Sequence, residues 1–189
     1  MTRADEMAEQ LKGSIIEKLG VDGEKIFEGK EAPSNPVKRA RWVKMVMRNL
    51  DETVNKETRF DVMHVNGVNC ADHNAKVVKA AVARRGKHST LDEFLDSEIR
   101  KPQAGTIIER DGDGLILSYL PANFKHSMRC FCSLVNALPE GETLSSTYCQ
   151  CSVAFVETWW SRVVGKPVKV NLLESAVTGS DKCRFRITW

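Results

Sequence analysis

The hydrophobic period of this chain changes near residue 105, from about 3.6 residues to 2, and that change restricts what it can fold into. Before it, Met7, Leu11, Ile15 and Leu19 recur at helical spacing and Gly20 ends the pattern. A second helix is read from about Val37 to Asn55, with Trp42, Val43, Met45, Val46 and Leu50 as its apolar side. Residues 64–73, HVNGVNCADH, read as a polar loop entering a third helix from Ala71 to about Arg85. Ser89 and Thr90 start a fourth, LDEFLDSEI. After the change, residues 105–110 and 115–120 flank Asp111-Gly112-Asp113-Gly114, a hairpin signal.

Further strands are expected at Met128–Ala137, Pro167–Leu173 and Lys182–Trp189. A helix from Cys149 to Val164 interrupts them, and Thr147 with Gln150 three residues later reads as its capping box. The expected class is therefore α+β: N-terminal helices followed by an antiparallel sheet interrupted by one helix. Residues 1–104 form the helical part and 105–189 the α+β part of one compact domain.

Composition narrows the function classes. The 28 Lys and Arg against 25 Asp and Glu leave a net charge of +3, without the gathered positive charge of a nucleic-acid binder. No apolar run approaches the ~18–20 residues that span a bilayer, so no membrane insertion is expected. The first twenty residues carry acids throughout and lack the apolar stretch of a secretory signal, which reads as a cytoplasmic protein. In a reducing compartment six cysteines are metal ligands, redox groups or core thiols rather than structural disulfides.

Four of the six form two Cys-x-Cys pairs. On a strand, Cys130 and Cys132 would share a face. Cys149 and Cys151 fall in the first turn of the capped helix, where free N–H groups and the helix dipole favour a thiolate. Together they can furnish a tetrahedron of soft ligands for zinc, with iron as the alternative. Cys183 is a fifth candidate. His64, Cys70 and His73 form a weaker set, with Cys70-x-x-His73 at ligand-like spacing. His126 is a spare acid, base or ligand. No phosphate-cradling loop, nucleophile elbow or His-Glu-x-x-His motif is present in the sequence.

The segment CQCSVAFVETWWSRVVGKPVKVNLLESAVTGSDKCRFRI resembles the end of the 4-vinyl-reductase-like, hydrocarbon-binding domain superfamily. Cys130-Phe-Cys132 with Tyr148-Cys149-Gln150-Cys151-Ser152 is similar to a related prokaryotic group with paired Cys-x-Cys motifs. The resemblance covers about residues 105–189. It implies the fold of haem–nitric-oxide sensors and a vesicle-tethering subunit, in which sheet and helices enclose an apolar ligand pocket. Cys183 falls on the last metal cysteine of related domains. The upstream Glu-x-x-Cys of that motif would fall on Leu172 and Ser175, so the zinc site does not carry over intact.

The functional expectation is a small-molecule-binding domain with a cysteine-held structural metal. Its apolar pocket would lie between the sheet and the helix after Cys149, lined by Met128, Phe131, Phe155, Val156 and Trp160, with Trp159 facing solvent or the N-terminal helices. Two rivals are a metal- or thiol-dependent hydrolase or reductase and a protein-interaction adaptor. A homodimer is expected through the amphipathic N-terminal helices.

Overall fold

The computed structural model describes residues 2–123 and 128–189, so His126 lies outside the described residues. Among the described residues, seven α-helices and four strands follow the chain in order. Helix α1 (Arg3–Leu19) opens on a capping box between Thr2 and Asp5 and ends at Gly20. Then come α2 (Val21–Lys25), α3 (Pro36–Thr53) with Asn35 as its N-cap, α4 (Lys56–His73), α5 (Ala75–Arg85) and α6 (Leu91–Arg100), which Thr90 and Glu93 box. Strands β1 (Thr106–Asp111) and β2 (Gly114–Tyr119) form the expected hairpin. Gly112, at φ +56°, supplies the positive φ at the first turn position. Helix α7 (Gln150–Val164) precedes β3 (Lys169–Glu174) and β4 (Cys183–Thr188).

The sheet is antiparallel throughout, in the order β1-β2-β4-β3. The register Ile108–Leu117–Phe185–Leu172 aligns apolar side chains across all four strands on one face. That face packs on the side of α7 carrying Val153, Val156, Trp160 and Val163, with Phe94 and Leu95 of α6. A second cluster joins Leu11 and Ile15 of α1, Val43, Val46, Met47 and Leu50 of α3, and Val62 and Met63 of α4 to Leu134, Val135, Leu138 and Tyr148. The two halves of the sequence thus share a core.

Three expectations fail here. Residues 64–73 are the C-terminal half of α4, not a loop, and the helix breaks only at Asn74, whose side chain and backbone N–H both donate to the Cys70 carbonyl. Residues 128–137 form turns rather than a strand, drawn inward by buried Leu134 and Val135, with both Val135 and Asn136 N–H groups donating to the Cys132 carbonyl. The Thr147–Gln150 capping box does not form. The buried Thr147 hydroxyl instead donates to Asp51 at 2.6 Å and accepts from Arg59, tying the start of α7 to α3 and α4.

Four of the five basic residues of α3 are spent locally. Arg41 and Lys44 pair with Glu142, Arg48 with Glu28, and buried Arg39 with Asp5 and the Pro33 and Ser34 carbonyls. No helix among the described residues is long and apolar enough to cross a membrane.

Candidate functional site: a thiol-lined cavity

Helix α7 has two apolar stripes. Val153, Val156, Trp160 and Val163 face the sheet, whereas Cys151, Phe155 and Trp159, four residues apart in turn, form a neighbouring stripe about 100° round the helix, of which Trp159 also joins the sheet-side core. The second stripe is one wall of a cavity of about 630 Å³. Met7 and Leu11 of α1, Cys70 and His73 of α4, and Val77 and Arg84 of α5 form the facing walls. Tyr119 at the end of β2, Cys183 at the start of β4 and the turn segment Cys130–Leu134 complete it. The cavity therefore lies beside α7, at the ends of β2 and β4, and not between helix and sheet, which pack directly against each other.

Phe131 and Phe155 line this cavity. Val156 and Trp160 do not, being buried in the core against the sheet, and Met128 is half-buried outside the lining. Trp159, expected to face away, is a lining residue. Tyr119, Tyr148 and Met7 were not legible as site residues from their local sequence. The spacing of Cys151, Phe155 and Trp159 was a usable signal, masked by the stronger stripe beside it.

Five cysteines, Cys70, Cys130, Cys132, Cys151 and Cys183, line the cavity, and Cys149 is buried behind it. All six are free thiols. Tyr148 donates its hydroxyl to Cys132 Sγ at 3.0 Å, and Asn74 Nδ2 donates to Cys70 Sγ at 3.4 Å. Cys149 Sγ and Ser175 Oγ share a hydrogen bond of 2.9 Å, and Ala176 N–H donates to Cys183 Sγ at 3.3 Å.

Burial raises the pKa of every thiol, that of Cys149 to about 12, and neighbouring thiols add to it at Cys70, Cys130, Cys149 and Cys151. Cys130 feels Cys132, Cys183 and Cys149, while Cys151 feels Cys132, Cys149 and Cys70. The electrostatic neighbourhoods thus link the two Cys-x-Cys pairs. The expectation of a dipole-stabilised thiolate at Cys149 is overturned. A helix terminus contributes about 0.3–1 kcal/mol at an exposed site, whereas taking a charge out of water costs several. Thiols held protonated are poor nucleophiles. Neither weak histidine candidate meets a thiol: His64 faces Glu157 at 3.8 Å, and His73, at the cavity wall, faces Glu6 at 3.6 Å.

Among the described residues, no three His, Cys, Asp or Glu side chains are gathered closely enough to hold one metal ion. At the two positions where the resemblance places a glutamate and a cysteine stand Leu172, packed against core, and Ser175, already bonded to Cys149. As arranged, the thiols line a wall and do not form a zinc tetrahedron.

The profile of DUF6144, described as a family of unknown function, matches residues 9–189. The chain belongs to the DUF6144 family. No curated protein matches it. Among solved structures, this DUF6144 chain is similar to an H-NOX protein from S. oneidensis in its Fe(II)NO ligation state. The identity is 12% and the TM-score 0.47, over 98% of each chain. It is also similar to the phenol-responsive sensory domain of the transcription activator PoxR with phenol, at 13% identity and a TM-score of 0.39, over 83% of this chain and 77% of that one.

Proposed function

We propose that this chain binds a small, largely apolar molecule in the cavity beside α7. The observation that carries the reading is the cavity itself: about 630 Å³, walled by Phe131, Phe155, Trp159, Leu11 and five thiols. That lies within the ~300–1,000 Å³ typical of small-molecule sites, and its lining is likewise mostly apolar with a few placed polar groups. A second hollow of similar volume near α2 is walled mostly by polar and charged residues, including the Asp22–Lys25 pair and Glu28, and contains none of the thiols.

Bromobenzene tests the reading, because its heavy atom quenches an indole it touches. Its titration should quench tryptophan emission saturably in the wild type and in Trp160→Phe. In Trp159→Phe the saturable component should disappear, since only Trp159 of that pair lines the cavity. Linear, unsaturable quenching in the wild type would remove the binding reading.

A cysteine-held metal is a second reading, favoured by the convergence of six thiols on one region. Zinc, or iron in its place, would draw on Cys130, Cys132, Cys149, Cys151 and Cys183 once their sulfurs turned away from Ser175 and Tyr148. Under it, protein purified in reducing, metal-replete buffer carries about one zinc or iron per chain. Less than about a tenth of an equivalent removes it.

A further inference from the structure

The chain has two tyrosines, and the structure treats them differently. Tyr148 is buried and its hydroxyl is satisfied by Cys132 Sγ at 3.0 Å. The Tyr119 hydroxyl is buried with no hydrogen-bond partner among the described residues. Its ring is held edge-on by Phe131 and Phe185, with centroids 5.8 and 5.5 Å away, so the hydroxyl has a fixed position. The Cys183 and Cys70 thiols, both cavity residues, are near enough to act on it electrostatically. Trp159 Nε1 is a second buried donor without a partner on a lining residue.

Several other polar groups of the wall are already engaged. Glu98 takes the Arg84 guanidinium through a two-pronged pair at 2.9 and 3.0 Å. Asn66 donates to the Val62 carbonyl, and Asn74 to Cys70. Ser118 Oγ, Trp160 Nε1 and Arg184 Nε also lack partners, but none of those residues lines the cavity, so they carry no information about a ligand.

A buried donor without an acceptor is unfavourable, and an indole N–H can only donate. We infer that the ligand is an apolar body bearing an oxygen acceptor, a ketone or ether rather than a plain hydrocarbon, and that the unpartnered donors of the wall, the Tyr119 hydroxyl and the Trp159 N–H, are there to meet such acceptors. This rests on the binding reading above and names the chemistry of the same site.

Acetophenone and α-methylstyrene separate the two claims, because they share a shape and differ by C=O against C=CH2. Both are titrated calorimetrically into wild type and Tyr119→Phe. The variant should bind acetophenone about five- to tenfold more weakly, the worth of one hydrogen bond, and α-methylstyrene within about twofold of wild type. Equal effects on both ligands, or none on the ketone, would overturn the inference while leaving hydrocarbon binding intact. Failure of both ligands to bind the wild type would overturn the binding reading and this one with it. Folding is checked independently: Tyr119→Phe retains the ring contacts and deletes an unpartnered hydroxyl, so the ligand-free variant should melt no lower than wild type.

Discussion

Replacing Gly67 by alanine is expected to destabilise the protein by about 2–4 kcal/mol, lowering the melting temperature by about 5–12 °C. Gly67 lies within α4, where alanine would ordinarily gain about 1 kcal/mol of helix propensity. Packing reverses the sign. A Cβ at this position would sit 2.1 Å from the Cys151 carbonyl oxygen and 2.6 Å from Ala154 Cβ, both on α7. The first of these is backbone, so no rotamer relieves the clash and the two helices must separate. Gly13 in α1 is the internal control. It is exposed, and an alanine methyl there would meet nothing within 4 Å, so Gly13→Ala should raise the melting temperature by a few degrees. Thermal unfolding of both variants checks the pair. If Gly67→Ala melts at or above wild type, the close approach of α4 and α7 is wrong. Because Cys151 lines the cavity, the same variant should also weaken bromobenzene quenching.

Alkaline pH above about 9 is expected to destabilise the metal-free, reduced protein. The six thiols have folded pKa values above the ordinary 9.0, chiefly through burial, with Cys149 at about 12 and Cys130 and Cys151 raised strongly. In the unfolded chain they ionise near the ordinary value, so above it the unfolded state binds fewer protons than the folded state, and stability falls as pH rises. Their contribution is fully present below pH 9 and is lost from there upward through the folded values. Each thiol that remains protonated in the fold forfeits about 1.4 kcal/mol per pH unit, or about 2 kcal/mol by a pH of about 10.5. Three such thiols together approach the whole ~5–15 kcal/mol stability of an ordinary domain. Urea unfolding followed from about pH 7.5 to 10.5 in reductant and chelator should show the decline, and Cys149→Ala should make it shallower. A flat profile across that range would show that the thiols are solvated rather than buried.

The two results concern the same wall from opposite sides. Gly67 lets α4 approach α7 closely enough for Cys70 and Cys151 to face one cavity, and burial there keeps the thiols neutral. A neutral, sulfur-rich, aromatic surface favours apolar ligands through burial and dispersion. The donors of Tyr119 and Trp159 then supply the directional element.

What the amino-acid order determined by itself is everything set by neighbours along the chain. The stripes of α1, α3 and α7, the glycine stop at Gly20, the Gly112 turn and the alternation of β4 are local patterns, and each formed within a few residues of its expected bounds. They were enough to establish an α+β chain with one helix interrupting an antiparallel sheet. Tertiary structure alone decided the rest. Gly67 and its polar neighbours read locally as a loop, and only the contact with α7 explains a glycine inside a helix. Cys130-Phe-Cys132 alternates like a strand, but burial of Leu134 and Val135 bends it into turns. Cys149 stands where a helix terminus would favour a thiolate, yet its burial keeps it protonated. Trp159 and Trp160 are adjacent in sequence and about 100° apart on the helix, so which of them met the cavity depended on which side of α7 the sheet covered. Periodicity specifies that a helix has faces; the partners of those faces come from segments distant in the chain, as Gly67 of α4 does for Cys151 of α7.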